Sequence, residues 1–144
     1  MRDLILILTE IRVLIFRLDN LENKIRNRIE NIKKFSYFQK EIDQLENSLR
    51  IIKISKTLLE ILENRIILYL EVRELSIPLN SIIYEINDIR NIFSLPKELN
   101  QIIDKLMDFI NNNKLNIKPH YIEQNSNIKN IIKQYIKNDA LLRT

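Results

Sequence analysis

Apolar residues recur along the first third of the chain at Ile7, Ile11, Leu14, Leu18, Leu21, Ile25, Ile29, Ile32 and Phe35, in steps of three or four. That spacing holds one stripe on one side of a 3.6-residue helix and predicts an amphipathic helix of about eight turns, roughly 45 Å long. In Phe35-Ser36-Tyr37-Phe38-Gln39, Ser36 and Gln39 have the spacing of a capping box, so a second helix is expected to start at Ser36 and run to about Leu75. This helix carries two stripes. One passes through Ile42, Leu45, Leu49, Ile52, Leu59, Leu62, Ile66 and Tyr69, the other through Ile51, Ile54, Leu58, Ile61, Leu68, Val72 and Leu75. A break at Ser36 folds the first helix back on the second as an antiparallel hairpin over residues 4–75, burying the first stripe of each. Without the break the two fuse into one rod of about 70 residues. In either case the second stripe is left for another neighbour.

Ser76-Ile77-Pro78 is expected to end the second helix, because proline disfavours helical geometry in the residue before it and supplies no N–H. A third helix over about 79–93 follows, with Ile82, Ile83, Ile86, Ile89, Ile92 and Phe93 as its apolar positions. Ser94-Leu95-Pro96 interrupts again, and a fourth helix over about 96–111 carries Leu99, Ile102, Ile103, Leu106, Phe109 and Ile110. Three asparagines, Asn111 to Asn113, stop it. Residues 114–125 read as a polar linker, and Ser126 is placed to cap a C-terminal helix over 126–144 with Ile128, Ile131, Ile132, Tyr135 and Ile136. The fold class is therefore all-α: a long antiparallel helical hairpin followed by shorter helices, with residues 1–113 as its core. Leu-Glu-Asn recurs at 21, 45 and 62 at unequal spacing, which excludes a solenoid repeat.

Composition supports that class. The 144 residues include no Gly, no Cys, no Trp and a single Ala. A chain without glycine lacks the easy route to positive φ that hairpin turns and phosphate-cradling loops use, whereas helices do without it. Absence of cysteine removes disulfides, zinc ribbons and thiol catalysis, and fits a cytoplasmic protein. Asp3, Glu10 and Arg12 interrupt the apolar start MRDLILILTEIRVLIF, and no uncharged run approaches the roughly 18 residues of a membrane span. The chain is expected to be soluble or to sit on a membrane surface.

Chemistry of the catalytic kind finds no support. His120 is the single histidine and falls in the expected linker; Glu71 and Glu74 flank Arg73 as an ordinary charged helix face. Neither a glycine-rich loop nor metal-ligand spacing occurs. The expectation is a protein that is not an enzyme and takes no cofactor, metal or small-molecule substrate.

Charge is more informative. The net +4 divides into +3 over residues 1–60, −3 over 61–113 and +4 over 114–144. Within Lys24 to Lys34 five basic residues, Lys24, Arg26, Arg28, Lys33 and Lys34, accompany one acid, Glu30. Near an anionic lipid surface each contributes on the order of 1 kcal/mol, so one copy binds at about millimolar strength and many copies on one polymer bind firmly. The competing explanation is a solvated helix face. Leu4-Ile5-Leu6-Ile7-Leu8 is apolar on every side, and Leu4, Ile5 and Leu8 either enter a bilayer interface or pack under the base of the hairpin. A nucleic-acid surface fits less well, since no aromatic residue interleaves with the basic cluster.

The layout of a basic first helix, a long second helix, a break, two shorter helices and a detached C-terminal helix resembles the ESCRT-III family, in particular its archaeal cell-division branch, the Cdv proteins. The likeness is densest in Lys56-Thr57-Leu58-Leu59 and in Glu63 to Leu75, similar to the family's second helix; Ile11 to Asn31 resembles its first, and Ile82 to Phe93 and Pro96 to Ile110 its third and fourth. The resemblance implies a homopolymer, with or without related subunits, assembled as membrane-bound filaments on the inner face of a membrane in division, budding or virus egress. It assigns lipid contact to the five basic residues above. Subunit contact falls to Leu58, Ile61, Leu68, Val72, Ile82, Ile86, Ile89, Leu99, Ile102 and Leu106. Two features depart from the family. Residues 114–144 are basic where the family's C-terminal half is acidic, and 126–144 carries neither a proline-rich segment nor a Leu-Arg helix motif of the kind that recruits the family's AAA ATPase, which argues against that ATPase as a direct partner. The alternative is a coiled-coil interaction or adaptor protein that forms closed oligomers without binding lipid.

Overall fold

The computed structural model describes residues 2–72 and 76–113. Its elements are α1 (Arg2–Ile32), a single 3₁₀ turn (Ser36–Phe38), α2 (Gln39–Glu71), α3 (Ser76–Ile89) and α4 (Lys97–Asn112), with no strand among the described residues. The all-α class follows directly.

α1 and α2 lie antiparallel. Arg12 pairs with Glu63 at 2.9 Å, Lys56 with Asp19 and Glu22, and Arg28 with Glu41 at 3.0 Å, so positions descend along α2 as they rise along α1. The first stripes meet as expected: Ile7, Ile11, Leu14, Leu18, Ile25 and Ile32 from α1, and Ile42, Leu49, Ile52, Leu59, Leu62, Ile66 and Tyr69 from α2, are buried. Leu21 and Phe35, also on the α1 stripe, stay near half exposed.

The later helices close on this pair. α3 packs on α2, α4 packs on both α1 and α3, and a four-helix body results. Its long-range ties include Lys105 of α4 to Glu10 of α1 and the edge-on rings of Tyr69 and Phe109, 6.2 Å apart. Arg90, just past α3, donates to Asp104 at 2.5 Å and joins the α3 end to α4. Grooves shared with α4 run along α1 from Asp3 to Arg17. Beyond that point α1 and α2 continue together as a two-helix arm, about 20 Å long for the fourteen residues from Asp19 to Ile32 at 1.5 Å each.

Four boundaries differ from expectation. Ser36 does not cap α2: the N-cap is Phe38, without a side-chain bond, and Ser36 opens the 3₁₀ turn while Gln39 donates to Asp43 instead. α2 ends at Glu71, short of Leu75, with Val72 in extended geometry. Pro78 lies inside the first turn of α3, which begins at Ser76 and not at 79. A missing N–H costs nothing there because first-turn N–H groups have no carbonyl partner in the helix. α3 also stops at Ile89 rather than 93, where Ile92 and Phe93 both donate back to the Ile89 carbonyl. The expected linker, His120 and the C-terminal helix lie outside the described residues.

The second stripe divides. Ile54 and Leu58 are fully buried in the chain's own core, Ile61 is half-buried, and Leu68 and Val72 are exposed. Ile82, Ile86, Ile89, Leu99, Ile102 and Leu106 are likewise buried within the chain, because α3 and α4 fold onto α2 and α1. In this conformation seven of the ten expected subunit-contact residues, these six and Leu58, meet the same chain and leave nothing for a neighbour.

Candidate interaction surface

The basic cluster occupies the arm. Lys24 and Lys34 are exposed and have no ion-pair partner among the described residues. Arg26 is drawn along its own helix to Glu22, one turn earlier, at 3.2 Å, and Lys33 to Glu30 at 2.7 Å. Arg28 crosses to α2, where its guanidinium forms two bonds with the Glu41 carboxylate at 3.0 and 3.3 Å and lies 5.9 Å from the centroid of the Phe38 ring. An aromatic residue therefore does meet the cluster. Nothing in the local pattern shows it, because Phe38 is ten positions away and arrives only through the reversal of the chain.

The five cations do not form one face. At about 100° per residue, Lys24 and Arg26 point roughly 160° apart, on opposite flanks of α1. Lys24 and Arg28 share one flank, and Arg26 and Lys33 the other. Side-on contact with a flat surface uses one pair or the other.

At the base of the molecule, Leu4 and Leu8 are buried in the core, so of the two arrangements open to the N-terminal segment these residues take the packing one. They are out of reach of a bilayer in this conformation. Ile5 remains about half exposed, together with Leu6, Val13 and Phe16 on the outer side of α1. Leu6 and Val13 border the α1–α4 grooves, which the Glu10–Lys105 pair crosses.

Between arm and body sits Lys56. Its ammonium donates to Asp19 and approaches Glu22 at 3.5 Å, and the side chain is one-fifth exposed. The hydrogen bond to Asp19 holds its pKa above the ordinary lysine value; burial opposes this, and the Glu22 and Asp19 charges reinforce it. Small polar side chains nearby bond to their own helix, as Ser55 does to the Ile51 carbonyl at 2.7 Å and Thr57 to that of Lys53 at 3.0 Å. No group of acidic or histidine side chains among the described residues has metal-holding geometry. No described helix is long and apolar enough to cross a membrane.

Comparison with models of known protein families, with curated proteins and with solved structures finds no match.

Proposed function

We propose that the chain is a peripheral membrane-binding subunit of ESCRT-III-like kind, which assembles into filaments on anionic membranes and deforms them. The observation that carries this reading is the separation of a basic two-helix arm from a four-helix body: charge is concentrated where the chain projects, and the apolar residues suited to subunit contact are held in the body. On this reading the closed body is the stored form. Polymerisation through Leu58, Ile82, Ile86, Ile89, Leu99, Ile102 and Leu106 requires α3 and α4 to swing away from α1 and α2 and dock on the next subunit, exchanging an intramolecular contact for an equivalent intermolecular one.

A second reading has its own support. Burial of those same residues within one chain suits a closed helical interaction module with no need to polymerise.

Electron microscopy of the purified chain with and without vesicles containing anionic lipid separates the two. Filaments or coats on the vesicles are expected; discrete particles under both conditions overturn the filament proposal in favour of the closed module.

A further inference from the structure

At the far end of the arm, Phe35, Tyr37 and Phe38 form one aromatic knob. Ring centroids lie 5.7, 6.0 and 4.5 Å apart, and the chain reversal beneath them is tied by Phe35 N–H to the Ile32 carbonyl at 3.0 Å and Phe38 N–H to the Phe35 carbonyl at 3.2 Å. Phe38 has a structural task. It is half-buried beneath Arg28, at the end of the arm where Ile32 and Ile42 are buried apart from the main core. Phe35 and Tyr37 do no such work and stand 46% and 76% exposed. A polar turn would close a helical hairpin equally well, so large apolar surface at the point farthest from the core marks contact with something else.

We propose that this tip is what enters an anionic bilayer, with the arm standing end-on to the membrane. The proposal rests on the membrane reading above and specifies where that contact lies. Three observations select lipid as the occupant. Residues 33–40 contain Lys33, Lys34 and Lys40 and no acid; Lys33 is held by Glu30, while Lys34 and Lys40 have no ion pair among the described residues, so free positive charge flanks the knob. Aromatic rings beside lysines match the headgroup layer, where rings sit at the boundary of the acyl chains and ammonium groups meet phosphate. Arg28 and Lys33, on opposite flanks near the end of α1, cannot share a flat surface side-on, but end-on both lie beside the point of entry. Stacked bases of a nucleic acid need flat open ring faces. Here Phe35 and Phe38 meet at 78° and Tyr37 and Phe38 at 45°, so the rings present no set of parallel faces on which successive bases could stack.

Because the chain contains no tryptophan, Tyr37→Trp gives the tip a unique fluorophore, and Phe16→Trp, at a position 66% exposed on the body, gives a matched control. With phosphatidylcholine vesicles containing phosphatidylserine, Tyr37→Trp should shift to the blue and be quenched by brominated acyl chains, while Phe16→Trp should not respond. The double variant Phe35→Ser/Tyr37→Ser, which spares Phe38 and should keep wild-type helicity, should weaken vesicle pelleting by about tenfold or more. Undiminished pelleting of the double variant, or quenching at position 16 without quenching at 37, overturns the tip as the site of entry and leaves membrane binding standing. If the wild type stays in the supernatant and neither tryptophan responds, the membrane reading itself falls. A blue shift of Tyr37→Trp with a single-stranded oligonucleotide and none with vesicles overturns the proposal in favour of nucleic acid.

Discussion

Lys105 on α4 places its ammonium 2.7 and 2.9 Å from the two carboxylate oxygens of Glu10 on α1, ninety-five positions earlier in the chain. The pair marks the seam at which the body closes. Both side chains are about half exposed, so water screens the attraction and the apolar burial of Leu99, Ile102, Leu106 and Phe109 carries most of the closure.

Lys105→Glu should therefore cost little, about 1 kcal/mol or less, although it sets two carboxylates against each other. The exchange Glu10→Lys/Lys105→Glu should recover most of that loss. A double-variant cycle by urea unfolding at low salt measures the coupling, which should shrink as salt is added.

Leu58 and Leu68 belong to the same sequence stripe yet differ sharply in burial, at 0% and 41% exposure. Leu58→Ala should destabilise the chain by about 2–5 kcal/mol through lost burial and the cavity left behind. Leu68→Ala should cost about 1 kcal/mol or less. Equal losses in chemical denaturation would contradict the burial of one part of the stripe and the exposure of the other.

Lys56 has its pKa raised in the folded chain by its hydrogen bond to Asp19, so its contribution to stability is complete below the ordinary lysine value of 10.5 and is lost as pH climbs through the higher folded value. The window lies above about pH 10.5. Unfolding of the wild type and of Lys56→Met, compared at about pH 9 and about pH 11, should show the wild type losing more stability over that interval than the variant does.

Charge reversal on the arm should separate lipid contact from architecture. Lys34→Glu/Lys40→Glu changes two exposed residues beside the tip that have no ion-pair partner among the described residues, and should weaken binding to anionic vesicles by about tenfold per residue while changing the melting temperature little. Arg28→Glu is different. It faces Glu41 and removes the cation above Phe38, so stability should fall by about 1 kcal/mol as well. Vesicle pelleting alongside thermal unfolding checks both.

How far the sequence foretold this arrangement depends on the residue. The α1 stripe was legible from its period, because both α2 and the packed body reward a side chain at every third or fourth position from Ile7 to Leu18. Leu21 shows where the rule weakens: past the body only α2 covers α1, and a residue at the margin of that narrower contact stays exposed. The second stripe announced a second neighbour without naming it. Periodicity states that a face is apolar, and only the fold shows that it is covered at Leu58 and left open at Leu68. Pro78 resembles a stop in sequence because proline ends helices more visibly than it begins them. Phe35 continues the α1 stripe in sequence, and that hides the tip. The available signal was composition: three aromatic residues in four positions, flanked by lysines, at a chain reversal.

α1 passes without interruption from Arg2 in the body to Ile32 beside the tip, 31 residues with neither proline nor glycine to absorb a bend. It works mechanically as a lever, with its first half clamped by α4. Over the roughly 33 Å from Glu10 to Ile32, a tilt of about 5° at the seam displaces the far end by about 3 Å. A slight rearrangement at the Glu10–Lys105 seam is thus delivered as a large movement where the arm ends, and a load applied there returns to the seam as torque on α4.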